Sequence, residues 1–359
     1  MNIEDYNIMI QNAKYLLESG LNAKEWEVQF ASAEAFASLK SDIGIDIILA
    51  GCKSQDPCIR DRAVQALGNL EDATYTNDIA VLLKDEDDST RAHALEAYAK
   101  VEPNKIIPLL RKSFVDKYFI TMESAINVAN DIAENKGDCI LKKALSLDYV
   151  PYRLQILAAG MLAKKNNDSG LDFLKMLITH RDSWLRFLGA KALAYLKNDA
   201  GKDILVERVQ NGDWESKIMA LEALIFMDCQ EEWIENLKRP WEAPKQMDRL
   251  NIIRILDQFK PEKTKSLLTI EWNDSKEEER VRILEIIGEL KRPELLEIAE
   301  DVIKRGPEYQ RAILLKSIAK MNDISLLPRI FPILQKSHWL VQILASKIVL
   351  QMQPLIDCI

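Results

Sequence analysis

Three histidines, His93, His180 and His338, are the first test for metal or acid–base chemistry. They are widely separated and none is followed by Glu. No zinc or di-iron site is therefore expected. The five cysteines, Cys52, Cys58, Cys139, Cys229 and Cys358, are odd in number, scattered, and without a CxxC pair. That usage suits reduced thiols better than a disulfide framework. A cysteine nucleophile needs a base in reach, and Cys52 and Cys58 have no His nearby in sequence. No GxSxG, GxGxxG or P-loop motif occurs. No catalytic residue, metal or cofactor is expected, and the chain reads as a non-enzyme.

Composition narrows the partners. The chain has 359 residues, 48% hydrophobic and 29% charged, with a net charge of -8. This is globular composition. An acidic balance argues against a phosphate-tracking surface, so nucleic acid is not an expected partner. The opening MNIEDYNIMIQNAKYLLESG carries acids early, with no apolar core of signal-peptide length. No run approaches 18 uninterrupted apolar residues, so no membrane span is expected and the protein reads as cytoplasmic. With 12 Gly and 12 Pro, it lacks the turn residues of a many-stranded sheet.

The elements that must position any site are helices in a repeat. Taking Ile59 as position zero of IRDRAVQALGNL, Arg follows at +1, small residues at +4 and +7, Leu at +8 and Gly at +9. The frame recurs at Leu185, Ser216, Glu279 and Gln310, with weaker copies at Val28, Thr90, Ile120, Tyr152, Asp248 and Val341. Successive starts lie 31, 31, 30, 32, 33, 31, 32, 31, 31 and 31 residues apart. Positions 0, 4, 7, 8 and 11 share one side of a helix. A second apolar stretch separates the copies, so each period reads helix A, turn, helix B, turn. Asp56, Asp182 and Asp213 sit where an N-cap belongs, with Pro57 at the first helical position. Asp42, Asp72, Asp199 and Asp323 fall in the cap window of helix A. The expected fold is an all-α, right-handed α-solenoid of about eleven helix pairs. It is read as one array over 1–359, with a capping helix at 1–25, repeats from 26, and an irregular loop at 228–247.

This pattern resembles HEAT-like repeats, and most closely the short-period subclass found in phycobilisome-lyase-type proteins. Pro108 and Pro328, each 18 residues after a position zero, match the Pro that such repeats often place in helix A. The resemblance implies scaffold or adaptor activity through protein–protein interaction. A bilin lyase or isomerase subunit acting on a tetrapyrrole-carrying protein is the alternative it implies.

Three surfaces are candidates for a partner. The +1 column, Gln29, Arg60, Arg91, Thr121, Arg153, Arg186, Lys217, Arg249, Arg280, Arg311 and Gln342, is mostly basic. In such arrays it is expected to pair with the capping Asp of its own or a neighbouring repeat and fix the stacking. Trp26, Trp184, Trp214 and Trp339 lie one or two residues before position zero, at A–B turns, with Trp241 in the irregular loop. They read as repeat-closing core residues or as an aromatic edge for a partner. Helix B is expected to line a concave groove, with positions +2, +6 and +10 facing it. In the central repeats these are Met122, Ile126, Leu154, Leu162, Phe187, Lys191, Tyr195, Ile218, Phe226, Leu250 and Arg254. That strip is predicted to hold an apolar or amphipathic helical segment of a protein partner. The apolar Ile343, Leu350, Leu355, Ile356 and Ile359 predict either a self-association contact through the C-terminal repeat or a tail that Pro354 turns back as a lid.

Overall fold

The caps act as their spacing requires. Asp56 accepts from the Cys58 amide, Asp87 from Thr90, Asp182 from Trp184 and Leu185, and Asp213 from Ser216. Each satisfies amides that the first turn of a helix leaves without partners. Asp72 and Asp323 cap the entry to helix A, whereas the residue in that role near 199 is Asn198, one position earlier than expected. A computed structural model describes residues 3–115, 118–132, 136–228, 233 and 245–356. Among them are twenty-one α-helices and no strand, the architecture of an all-α solenoid. The expected loop at 228–247, with Trp241, lies mostly outside the described residues.

The residues form two compact units. Unit 2, residues 52–243, holds α4 (Pro57–Leu70), α5 (Thr76–Leu82), α6 (Asp88–Val101), α7 (Ile107–Ser113), α8 (Phe119–Asp131), α9 (Asp138–Ser146), α10 (Tyr152–Lys164), α11 (Asp168–Leu177), α12 (Ser183–Tyr195), α13 (Lys202–Asn211) and α14 (Trp214–Asp228). The even-numbered helices are the B helices, each packed on the next. Gly68 shows how close they come. A Cβ there would lie 2.7 Å from the Ala97 Cβ and 2.8 Å from its Cα. The +9 Gly of one repeat thus faces the +7 small residue of the next, which explains both columns.

Unit 1 joins residues 1–51 to 244–359. It holds α1 (Ile3–Leu21), α2 (Trp26–Ser38), α3 (Ile45–Gly51), α15 (Gln246–Asp257), α16 (Pro261–Asp274), α17 (Arg280–Leu290), α18 (Glu300–Arg305), α19 (Glu308–Met321), α20 (Leu327–Lys336) and α21 (Trp339–Ile356). Gly288 and Ser317 repeat the +9/+7 contact between α17 and α19. Helix α21 packs on both α1 and α2, just as a B helix packs on the following helix pair. The buried Met9, Ile10, Ala13 and Leu17 of α1 lie in one core with Ile343, Leu350, Met352 and Ile356 of α21.

That contact covers most of the apolar surface on which the expected self-association rested. Ile343, Leu350 and Ile356 are buried within unit 1, Leu355 stays exposed, and Ile359 lies outside the described residues. Ile343, Leu350 and Ile356 are covered by α1 and the helices around it. Helix α21 has 18 residues and a mean hydropathy of 1.3, long and apolar enough to cross a membrane by composition. Half of it is buried in this core.

Candidate functional site

The +1 column is structural, though not by the expected pairing. Arg60 donates to the carbonyls of Ser54 and Gln55, Arg91 to Asp85 and Glu86, and Arg186 to His180 and Arg181. Gln29, Arg280, Arg311 and Gln342 likewise reach carbonyls in or just after the preceding helix A. The column ties down the A–B turn by satisfying carbonyls that a helix end leaves unpaired. Acid partners are additions: Asp85 for Arg60 and Glu271 for Arg249 lie in the next repeat, while Arg91 and Arg311 pair with Asp88 and Glu308 of their own helices. None of these acids is a capping Asp.

In the fifth repeat the residue in this role is Gln155, which donates to the carbonyls of Ala144, Leu145 and Leu147. Arg153, the expected member, has a side chain 77% exposed. Position zero of that repeat is therefore Leu154, two residues beyond the expected start, and in the fourth repeat the burial pattern moves it to Thr121.

This register shift decides most of the predicted groove. Met122, Ile126, Leu154 and Leu162 are all buried: in the corrected frame Leu154 and Leu162 take core positions 0 and +8, while Met122 and Ile126 stand at +1 and +5 on the flank beside the core. Phe187, Ile218 and Leu250 do stand at +2, yet they are buried too. Position +2 lies about 200° around the helix from position zero, on the flank covered by a neighbouring B helix. The uncovered columns are +3, +6 and +10, near 300°, 240° and 280°. Of the expected strip, Lys191, Tyr195 and Arg254 are half-buried and Phe226 is 49% exposed. The apolar strip as expected is not open to solvent.

A smaller surface takes its place in unit 2. The Tyr195 and Phe226 rings sit 5.2 Å apart at 59°, with the Lys191 ammonium 5.8 Å from the Tyr195 ring centre. Both aromatics stand at +10 in successive repeats and line a cleft of about 500 Å³ with Lys164, Asn167, Leu171 and Lys197. At +3 are the half-buried Leu157, Leu188 and Met219, which the original frame missed. At +6 of the fifth repeat is Gly160, where an added Cβ would meet no atom within 4 Å. A helix-interior Gly costs about 1 kcal/mol relative to Ala, so open space above one leaves backbone uncovered for a visiting chain. A larger cleft of about 780 Å³ lies between α6, α7 and α8, lined by Ile107, Val128 and Ile132 under Glu96, Lys100 and Asp131.

The tryptophans divide. Trp184 and Trp339 are exposed at their turns, while Trp26 and Trp214 are half-buried. Trp26 stacks on Phe30 at 4.8 Å. His93 pairs with Asp61 of the preceding repeat, whose other oxygen accepts from Gln65. Burial pushes the Cys52 thiol up to about 12, with the Asp78 charge adding to it. Cys52 is therefore a protonated core residue at neutral pH. Cys58 and Cys139 are exposed.

Comparison with known proteins bears on the repeat. Residues 45–130 match the model of HEAT repeats. No curated protein matches the chain. Among solved structures, it is similar to the complex of CpcE and CpcF of phycocyanin lyase from Nostoc sp. PCC7120, with 14% identity and a TM-score of 0.36 over 68% of this chain and 94% of that one. It is also similar to the Mot1 N-terminal domain in complex with TBP, with 15% identity, a TM-score of 0.37, and 69% of this chain matched to 42% of that one. An engineered protein matches over 95% of this chain and 99% of its own length, at 16% identity and a TM-score of 0.32. Likenesses at this level carry nothing about activity or partner. Residues 45–130 match HEAT repeats, and capped helix pairs of the same period lie on either side of them, so the chain resembles HEAT-like repeat proteins beyond the matched segment.

Proposed function

We propose that this chain is a non-catalytic scaffold that holds an apolar or amphipathic helical segment of a protein partner on the B-helix face of repeats five to seven. The observation that carries this reading is the Tyr195–Phe226 pair, two aromatic rings at the mouth of a cleft with one of them half exposed. Aromatic anchors in a pocket supply most of the energy of such interfaces. The half-buried Leu157, Leu188 and Met219 extend the apolar surface, and Gly160 lets a partner backbone approach α10. Lys164 and Lys197 line the cleft with Asp168, leaving one excess positive charge that favours an acidic residue beside the anchoring side chains.

The test is affinity purification of the tagged chain from its native cell, comparing wild type with the double variant Tyr195→Ser, Phe226→Ser. The partner retained by wild type should fall at least tenfold in the variant, with little movement in Tm. Full retention by a stably folded variant overturns the proposal. Phe187→Ser is the contrast, since truncating that buried ring should cost about 3–5 kcal/mol of stability. Mixing the chain with a free bilin should leave the bilin spectrum unchanged. A saturable shift would favour the lyase-type alternative.

A further inference from the structure

At the opposite end of α12, about 18 Å along the helix from Tyr195, unit 2 carries a second cleft of a different kind. It encloses about 230 Å³ and is lined by Ser183 and Arg186 of α12, Ile204, Glu207, Arg208 and Asn211 of α13, and Gly212. The Arg208 guanidinium lies 5.0 Å from the Phe187 ring centre and 5.9 Å from that of Trp184. Among the described residues its side chain makes these ring contacts and no hydrogen bond or ion pair. Arg186 uses Nη1 on the carbonyls of His180 and Arg181, and no other atom of its guanidinium has a hydrogen bond among the described residues.

A guanidinium presents five donors in a planar fork that fits a carboxylate through two parallel hydrogen bonds. Rings on its face hold the fork in place without occupying its donors. The cleft brings two such groups together with the Ser183 hydroxyl and the Asn211 amide, beside the α12 N-terminus that Asp182 caps. Two Arg and one Glu line the cleft, and the capping Asp182 and Asp213 act on Arg186 and Arg208 from outside it. Glu207 and the two caps oppose a dianion by like charge, which favours a monoanion held by the two forks. At about 30 Å³ per water, the volume admits a carboxylate on a short alkyl stem and excludes a nucleotide or a tetrapyrrole.

We propose that this cleft binds a carboxylate presented by an Asp or Glu side chain of a protein partner, with Arg208 and Arg186 as its donors. The exposed Trp184 ring is placed to cover the residue beside it. The site stands whether or not the face at Tyr195 and Phe226 is occupied.

Acetate and propionate are the probes, with chloride at matched ionic strength as control and tryptophan emission as the readout. Wild type should give a saturable change that disappears in Trp184→Phe. Arg208→Gln should weaken binding about tenfold. Glu207→Gln should raise the affinity for inorganic phosphate relative to acetate by about tenfold, because it removes one of the charges that disfavour a dianion. A wild-type response no different from chloride overturns the proposal, as does an equal response in folded Arg208→Gln. Phosphate binding wild type more tightly than acetate overturns the carboxylate assignment. If Arg208→Gln does not fold, Asn211→Ala and Ser183→Ala decide. Weakened acetate binding in either supports the site, and undiminished binding in both removes it.

Discussion

Arg60 and Asp85 lie 25 residues apart in sequence, and their side chains meet in a two-pronged pair, Nε to Oδ2 and Nη2 to Oδ1, each at 2.8 Å. Both side chains are more than nine-tenths buried. Removing one partner strands the other, so Arg60→Ala should destabilise unit 2 by about 3–5 kcal/mol. Burial alone would raise the Asp85 carboxyl, but the Arg60 hydrogen bonds, the Asp87 amide and the Arg60 and Arg91 charges outweigh it and hold it below the usual carboxylate range. A depressed carboxyl stabilises the fold above its unfolded pKa of about 3.9 and loses that contribution as pH falls through the folded value. Acid unfolding of wild type should therefore carry a component below about pH 4. Asp85→Asn, followed by circular dichroism against pH, should lack it.

The register correction in the fifth repeat has its own test. Gln155 is buried and serves three carbonyls, so Gln155→Ala should cost about 1–3 kcal/mol by removing the side-chain donor they share. Arg153→Ala should change stability by less than about 0.5 kcal/mol, as expected for an exposed side chain. Denaturant midpoints measure both. The reverse order would restore the original frame.

Two glycines should respond with opposite signs to the same substitution. At Gly160 an added methyl meets nothing, so Gly160→Ala should stabilise by up to about 1 kcal/mol through helix propensity. At Gly68 it would strike the Ala97 backbone, and Gly68→Ala should destabilise by about 1–3 kcal/mol through overpacking. Thermal melts of the two variants decide the matter.

Leu17 is fully buried in the core that α1 shares with α21. Leu17→Ala should cost about 2–5 kcal/mol. Loss of α1 packing should also expose Ile343, Leu350 and Ile356, so a variant lacking residues 1–21 should self-associate more strongly than the full chain. Light scattering on both forms checks this, and an unchanged mass for the shortened form refutes it.

How much of this was legible in the sequence follows from what each residue contacts. The caps and the Leu, Ala and Gly columns were readable because they act within one helix pair or at a fixed step to the next. Gln155 was hidden because Arg153, two residues earlier, better fits the basic column. Only the direction of the Gln155 hydrogen bonds separates them. Phe187 and Ile218 looked like groove residues because a wheel drawn for one helix pair shows one buried side. In a stack the flanks are buried as well, and only a wedge centred on +3, +6 and +10 stays open. The α1–α21 contact has no local signature, since it joins residues from opposite ends of the sequence.

That contact also sets an order of events during synthesis. An open solenoid can begin folding as its first pairs emerge, because each repeat leans only on its neighbours. Here α1 leaves the ribosome roughly three hundred residues before α21 and, at about 5–20 residues per second, waits some 15–60 s for the helix that covers its apolar side. Met9, Ile10 and Leu17 meanwhile present a nascent hydrophobic stripe, which makes early chaperone engagement at the N-terminal twenty residues a consequence of the fold.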